Sequence, residues 1–166
     1  MEIEIRKAIE SDEPKFIEIT KLSWLSAYSH IFGEERILKK FENRLTDEEY
    51  HKEQLDEIKN TDKQFAVCVN SEVVGIMAIE TESDFLEITR LYMHPNHQRL
   101  GLGKRCFEKA SNIAKNKGLN KIKIEALKEN HIGCAFYSKM GGKITSSRTK
   151  ELCGINAELV TFEYNL

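Results

Sequence analysis

Residues Gln98–Lys104, with the sequence QRLGLGK, have the composition of an anion-binding loop. They follow an apolar stretch, Phe85–Met93, that predicts a β-strand, and they precede a pattern typical of a helix. The first turn of a helix exposes main-chain N–H groups and carries partial positive charge. Gly101 and Gly103 place no side chain between these groups and a phosphate. Basic side chains add full charges: Arg99, Lys104 and Arg105.

Two common nucleotide-binding motifs do not fit this loop. A P-loop requires G-x-x-x-x-G-K-[ST], whereas Lys104 is followed by arginine and no glycine stands at position 98. A dinucleotide fingerprint requires G-x-G-x-x-G, and its third glycine position is Cys106. The sequence therefore disfavours a nucleotide-binding protein. The alternative to a phosphate site is a tight turn between strand and helix.

The pattern that Gln98–Gly103 does fit is Q/R-x-x-G-x-G/A. Through it the chain resembles the GNAT superfamily of acyl-CoA-dependent N-acyltransferases, whose diphosphate loop has this form. Residues 130–142, NHIGCAFYSKMGG, are similar to that family's N-x-x-A-x-x-F-Y-x-K-x-G-F signature. Gly133 replaces the usual alanine and Gly142 the usual phenylalanine. The resemblance is strongest between Phe65 and Gly142.

The resemblance implies a fold and an activity. The expected fold is α/β, a mixed and mostly antiparallel sheet of about seven strands with helices on both faces. Residues 1–166 are expected to form a single domain, with 34–62 as a variable acceptor-side segment. The expected reaction transfers the acetyl group of acetyl-CoA to a primary amine, by direct attack in a ternary complex and without a metal.

The acceptor is not defined by the sequence. A small amine such as a polyamine, an aminoglycoside or an amino acid is favoured, because the 34–62 segment could cover a closed pocket. A protein N-terminus or lysine is the alternative. The competing class is a non-catalytic acyl-CoA-binding or regulatory module.

The resemblance also assigns roles to residues. Tyr137 matches the tyrosine beside the CoA sulfur, where a phenol with a pKa of about 10 can give a proton to the departing thiolate. Leu91 and Met93 would pair with the pantetheine arm as a strand does, and a bulge within 89–93 would expose N–H groups to the oxyanion. Asn130 matches a side chain that contacts CoA. The expected CoA-binding set is Leu91, Tyr92, Met93, Gln98, Arg99, Leu100, Gly101, Leu102, Gly103, Lys104, Asn130 and Tyr137.

Two glutamates are candidates for the base that deprotonates the amine. Glu87 has the same offset from Gln98 as the strand glutamate of the histone-acetylating branch of the family. Glu125 matches the position used by the branch that acetylates ribosomal-protein N-termini. Both would face a splayed gap between parallel strands and take a proton through water. Glu87 is favoured; the alternatives are Glu125, a water chain, or two solvent-facing glutamates without a role.

Composition narrows the class of protein. The 166 residues suit one domain, and a net charge of −2 does not favour a nucleic-acid partner. The charged N-terminus lacks the apolar region of a signal peptide, and no apolar stretch reaches membrane-spanning length. We expect a cytoplasmic protein with reduced core thiols at four positions that lack a metal-like spacing: Cys68, Cys106, Cys134 and Cys153. The resemblance adds a homodimer as an expected state, since homodimers are common in that family.

Periodicity predicts the remaining elements. The N-terminal half should contain a strand over 1–8, a helix capped by Ser11 that ends near Gly33, and more helix over 34–62, restarted by a capping box at 46–49. Gly75 should mark a close backbone approach or a bulge. Further strands are expected at 65–69, 73–79, 122–126, 143–152 and 157–164, with a short helix over 132–140. Aromatic candidates for acceptor contact, with core packing as the alternative, are Trp24, Tyr28, Phe32, Phe41 and Tyr50.

Overall fold

The computed structural model describes residues 1–166 and contains seven strands and five α-helices. The strands pair in the order β1-β2-β3-β4-β5-β7-β6. Their bounds are β1 Ile3–Lys7, β2 Gln64–Val69, β3 Glu72–Thr81, β4 Leu86–Met93, β5 Lys121–Leu127, β6 Lys143–Leu152 and β7 Ile155–Asn165. The helices are α1 Glu13–Phe32, α2 Glu34–Leu45, α3 Glu48–Asn60, α4 Leu102–Asn116 and α5 His131–Lys139. The β4–β5 pair is parallel, whereas β1–β2, β2–β3, β5–β7 and β6–β7 are antiparallel. The predicted fold class is confirmed.

The chain divides into two compact units. Residues 1–78 and 90–103 form the first unit, and residues 79–89 and 104–166 form the second. The chain passes between the units three times, within β3, within β4 and in the first turn of α4. The expectation of a single domain over residues 1–166 stays a prediction.

In the first unit, α1 and α3 cover the strands β2 and β3. Every residue of β2 is buried, and its sequence QFAVCV is apolar after the first residue. A strand that is buried on both faces needs such an unbroken apolar run. A core cluster combines both helices with these strands: Ala8, Phe16, Ile19, Ile58, Ala66, Cys68 and Ile76. This packing holds α1 against the sheet.

Gly75 allows two backbones to approach each other. A Cβ at this position would meet Met93 Sδ, and it would lie 3.0 Å from the Tyr92 carbonyl oxygen and 3.1 Å from Val67 Cβ. The β2–β3 ladder also shifts its register between Val67 and Cys68. The predicted close approach and the predicted bulge are therefore both present.

In the second unit, β5 lies between β4 and β7 in the sheet. Its alternate residues Ile122, Ile124 and Ala126 are buried, as a strand with one face against a core requires. At the outer edge, residues 143–151 of β6 are all exposed. Cys153 and Gly154, with φ values of 50° and 73°, connect β6 to β7 through the left-handed conformations that favour a tight hairpin.

Three local predictions are wrong. Ser11 does not cap α1, because residues Glu10–Asp12 form a 3₁₀ turn and α1 begins at Glu13. The cap of α3 is Asp47 rather than the predicted threonine before it, since the Asp47 carboxylate accepts a hydrogen bond of 3.1 Å from the Tyr50 N–H. All four cysteines are free thiols, but Cys134 and Cys153 are only half-buried rather than core residues.

Candidate active site

The loop after β4 contains two residues in the left-handed backbone conformation. His94 N–H donates to the Val74 carbonyl over 2.7 Å, which fixes the point where the loop leaves the strand. Arg99 has φ 63° and Gly101 has φ 75°. Nothing lies within 4 Å of the Cβ position of Gly101. Left-handed residues redirect main-chain N–H groups and form concave anion sites, and this loop is open at Gly101.

The start of α4 is electrostatically suited to an anion. Its first turn contains no acidic residue, whereas α1, α2 and α3 each have a glutamate there. Leu102 is buried and anchors the helix, while Lys104 and Arg105 are exposed. The helix dipole and these two cations act in the same direction. The loop and helix start thus fit a diphosphate group.

The C-terminal half of β4 is braced by α1. Ser23 Oγ donates a hydrogen bond of 2.8 Å to the Met93 carbonyl. Trp24 Nε1 donates to the Tyr92 hydroxyl over 3.3 Å. These bonds hold the strand segment in which Leu91 and Met93 were predicted to pair with the pantetheine arm. Ser23 was not identified from the sequence, where it appears only as a small polar residue within a helix.

Glu87 lies on the parallel ladder of β4 and β5. It is half-buried between the buried residues Leu86 and Ile88, and it pairs with Lys123 of β5. Burial raises the pKa of the Glu87 carboxyl, and the negative charges of Glu125, Glu82 and Glu80 raise it further against the opposing charge of Arg148. A raised pKa brings a carboxylate closer to the range in which it works as a general base near neutral pH.

Glu125 is held in a fork by an arginine of the edge strand. Arg148 Nε donates to Glu125 Oε2 and Arg148 Nη2 donates to Glu125 Oε1, each over 2.7 Å. A carboxylate bound at both oxygens by a guanidinium is held at a fixed distance and in a fixed orientation. The two candidate bases therefore differ in their surroundings, because both oxygens of Glu125 bind Arg148. No sequence signal identifies Arg148, because the contact depends on the order of β5, β7 and β6.

Asn130 and Tyr137 lie at opposite ends of α5. The Asn130 side chain accepts a hydrogen bond of 3.0 Å from the Gly133 N–H and caps the helix, as predicted. The Tyr137 ring packs against Phe107, Phe136 and Phe162, with centroids 6.2, 5.4 and 5.5 Å away. Its main-chain carbonyl accepts a hydrogen bond of 2.8 Å from the Tyr164 hydroxyl. The ring is thus held by its neighbours.

A sequence profile of the acetyltransferase (GNAT) family matches residues 22–142, more than half of the chain. The chain belongs to this family. A spermidine N(1)-acetyltransferase of Thermoplasma acidophilum is 29% identical over 145 residues, which cover 87% of this chain and 90% of that protein. As a family member, the chain is an acyl-CoA N-acetyltransferase with acetyl-CoA as its co-substrate.

Two solved GNAT structures have the same fold. The PaiA N-acetyltransferase of T. acidophilum, in complex with coenzyme A, superposes with a TM-score of 0.82 at 24% identity over 100% of both chains. A GNAT family acetyltransferase of Elizabethkingia anophelis with acetyl-CoA bound gives a TM-score of 0.58 at 20% identity, over 69% of this chain and 83% of that one. The predicted family, fold class and enzyme class are confirmed.

Both departures from the GNAT signature have a local cause. A Cβ on Gly142 would lie 2.7 Å from Tyr164 Cζ and 2.8 Å from its hydroxyl oxygen. A Cβ on Gly133 would meet the amide nitrogen of Asn130 and lie 2.9 Å from its Cγ. Glycine at these two positions therefore makes room for the Tyr164 ring and for the capping side chain.

The predicted acceptor aromatics are mainly core residues. Trp24, Phe32 and Phe41 are buried. The ring centroids of Phe32 and Phe41 lie 6.1 and 6.0 Å from that of Trp24. Tyr28 packs edge-on against Trp24 at 5.1 Å. Arg44 lies over the rings of Phe41 and Tyr50, at 5.1 and 5.3 Å. For the three buried rings, core packing is the role that the structure assigns.

The structure adds two observations on partners. No group of three or more His, Cys, Asp and Glu side chains is arranged to hold a metal ion. None of the helices has the length and apolar character needed to cross a membrane.

Proposed function

We propose that this enzyme acetylates a primary amine of a small cationic molecule, with polyamines as the favoured class. The carrying observation is the set of negative charges that act on Glu87, those of Glu80, Glu82 and Glu125, of which Glu125 is paired with Arg148. Negative charge attracts a substrate that bears several ammonium groups. The relationship to a spermidine acetyltransferase supports the same class of acceptor.

Donor binding is assigned to the loop Gln98–Lys104 and to β4. Main-chain N–H groups at the start of α4 would hold the diphosphate of acetyl-CoA, with the charges of Arg99 and Lys104 beside them. Main-chain groups of Leu91 and Met93 would pair with the pantetheine arm. Side chains or main-chain groups of Tyr92, Leu100 and Leu102 would complete the contacts, and Asn130 is a further proposed contact.

The reaction needs two proton transfers. Glu87 takes a proton from the acceptor ammonium, directly or through water, so that the neutral nitrogen can attack the thioester carbonyl carbon. The new C–N bond forms, the C–S bond breaks, and the sulfur leaves as a thiolate. Tyr137 gives this sulfur its phenolic proton. The nitrogen loses a second proton to solvent, and Glu87 and Tyr137 return to their starting states by exchange with water.

An acceptor screen tests the proposal. Thiol release from acetyl-CoA is measured with spermidine, spermine, an aminoglycoside, an amino acid and peptides that carry a free N-terminus or a lysine. A diamine and an amino alcohol of the same chain length form a matched pair, because only the diamine carries a second positive charge. We expect the polyamines and the diamine to react fastest.

Other outcomes of the screen contradict the proposal. Preferential acetylation of the peptides would assign the enzyme to protein substrates. Calorimetric binding of acetyl-CoA without thiol release from any acceptor would favour a binding or regulatory module.

We also infer that two copies of the chain associate through β6. Residues 143–151 of β6 are exposed at the edge of the sheet, and an exposed edge strand offers unpaired main-chain groups to a second copy of the same strand. Sedimentation velocity tests this: the wild-type chain should sediment as a dimer. A wild-type monomer would contradict the inference.

The four free thiols support a reducing, cytoplasmic location.

A further inference from the structure

We propose that the Glu125–Arg148 ion pair is a positioning device for Glu87. It holds one negative and one positive charge at fixed places beside that carboxylate, and so sets the pH range in which Glu87 accepts a proton. The inference rests on the proposed function, in which Glu87 is the base and Glu125 is not.

The geometry of the pair is fixed at both ends. Arg148 donates from Nε and Nη2 to the two oxygens of Glu125, each over 2.7 Å. A planar guanidinium that binds both oxygens defines the orientation of the carboxylate as well as its distance. Arg148 pairs with Leu159 of β7, and Glu125 pairs with Thr161, two residues further along the same strand. The guanidinium therefore reaches diagonally across β7.

The pair lies on the strand that neighbours Glu87. Glu87 pairs with Lys123 in the parallel ladder, and Glu125 is two residues beyond Lys123. Side chains two residues apart on a strand share a face. The Lys123 ammonium lies over the Phe85 ring, 4.2 Å from its centroid. Charged groups that act on or pair beside Glu87 are Lys123 and Glu125 from β5, Glu80 from β3, Glu82 from the following loop, and Arg148 from β6.

The two members of the pair act on Glu87 in opposite directions. The charge of Glu125 raises the pKa of Glu87, whereas the charge of Arg148 lowers it. Removal of one member leaves the other uncompensated. A purely structural ion pair would behave differently, because loss of either partner would lower activity in the same way and leave the pH dependence unchanged.

The test measures kcat/KM against pH for Glu125→Gln and Arg148→Gln, with a diamine acceptor. Because the base must be deprotonated, activity falls as the pH drops through the Glu87 pKa. We expect this acidic limb to move to lower pH in Glu125→Gln and to higher pH in Arg148→Gln, each by about half a pH unit or more. The double variant should return towards the wild-type limb.

A matched control uses a different ion pair, which joins β5 to β7. Lys121 Nζ lies 2.9 Å from Glu163 Oε1, so Lys121→Gln removes an ion pair without removing a charge that acts on Glu87. Its acidic limb should stay at the wild-type position. If Arg148→Gln does not fold, Arg148→Lys keeps the charge but loses the fork, and its limb should stay closer to the wild type than that of Glu125→Gln.

A carbon-13 titration of the Glu87 carboxyl in the enzyme without acceptor separates the effect of the ion pair on Glu87 from the assignment of Glu87 as the base. Opposite shifts in the two variants support the role of the ion pair, whatever the activity does. Shifts in the same direction, or none, overturn it. If Glu87→Gln keeps the acidic limb while the carboxyl titration of the other variants still moves, the base assignment fails and the effect of the ion pair stands.

Discussion

The hydroxyl of Tyr164 donates a hydrogen bond of 2.8 Å to the main-chain carbonyl of Tyr137. This bond joins β7 to the last turn of the helix that carries the proposed acid. The same carbonyl accepts a second hydrogen bond of 3.0 Å from the Gly142 N–H. Burial raises the pKa of Tyr164, so its hydroxyl keeps the proton that it donates. Tyr164 thereby restrains the turn from which the Tyr137 side chain projects.

Tyr164→Phe tests this restraint, because it removes the hydroxyl and keeps the ring. We expect the free energy of unfolding to fall by about 1 kcal/mol. We expect kcat to fall roughly two- to ten-fold because the acid is less well oriented, with the Kd for acetyl-CoA unchanged. Denaturant unfolding, steady-state kinetics and calorimetry measure the three quantities. An unchanged kcat in Tyr164→Phe would restrict Tyr164 to a structural role.

Tyr137→Phe removes the proposed acid itself. The phenyl ring can keep its contacts with Phe107, Phe136 and Phe162, so the fold should be retained. General acid catalysis contributes about 10²–10⁴-fold, and we expect a loss of kcat within that range. Binding of acetyl-CoA, followed by calorimetry, should be unchanged. Thiol release at the wild-type rate would remove the assignment of Tyr137 as the acid.

Local sequence signals predicted the elements that carry the candidate site. β6 has the predicted bounds Lys143–Leu152, and the predicted cap at Asn130 is present. The glycine pattern of Gln98–Gly103 predicted a loop that the structure places at a helix start. Each of these signals depends on residues close together in the sequence, so periodicity and capping chemistry were sufficient.

Long-range contacts could not be predicted in the same way. Arg148 reaches Glu125 only because β7 lies between β5 and β6, and Tyr164 meets Tyr137 only because β7 packs near α5. Nothing near these residues in the sequence specifies that order of strands. The wrong cap at Ser11 has a related cause, because Arg6 binds the Asp12 carboxylate at 2.7 Å and a 3₁₀ turn forms there instead.

His51 connects α3 to α1 and should make stability depend on pH. Its Nδ1 lies 2.6 Å from Glu13 Oε1, and its Nε2 lies 3.2 Å from the Leu45 carbonyl. The hydrogen bond to Glu13 raises the pKa of His51, and the charge of Asp47 adds to this effect. A histidine with a raised pKa in the folded state stabilises fully below its unfolded pKa of about 6.5, and this contribution is lost as pH rises through the folded pKa.

We therefore expect His51→Gln to lower the free energy of unfolding most at about pH 6, which is below the unfolded pKa, and much less at about pH 9. Denaturant unfolding at several pH values measures the difference from the wild type. His30→Gln, at an exposed position in the last turn of α1, is the matched control. A difference that does not change with pH would contradict the protonated pair.

Gly101→Ala tests the phosphate loop against a matched glycine. Gly101 and Gly118 have φ values of 75° and 74°, and nothing lies within 4 Å of the Cβ position of either. Alanine at each position should therefore cost the same backbone strain, about 1 kcal/mol. The two variants should therefore have the same effect on stability. They differ in position, because Gly101 precedes the start of α4 and Gly118 follows its end.

We expect both variants to lose similar thermal stability and only Gly101→Ala to lose affinity for coenzyme A. If the strain is relieved by moving the loop N–H groups away from the diphosphate, a loss of about 1.4 kcal/mol corresponds to a tenfold increase in Kd. Calorimetry with coenzyme A measures it. Equal weakening in both variants would reflect stability alone. An unchanged Kd in Gly101→Ala would mean that the Gly101 conformation is not needed for diphosphate binding.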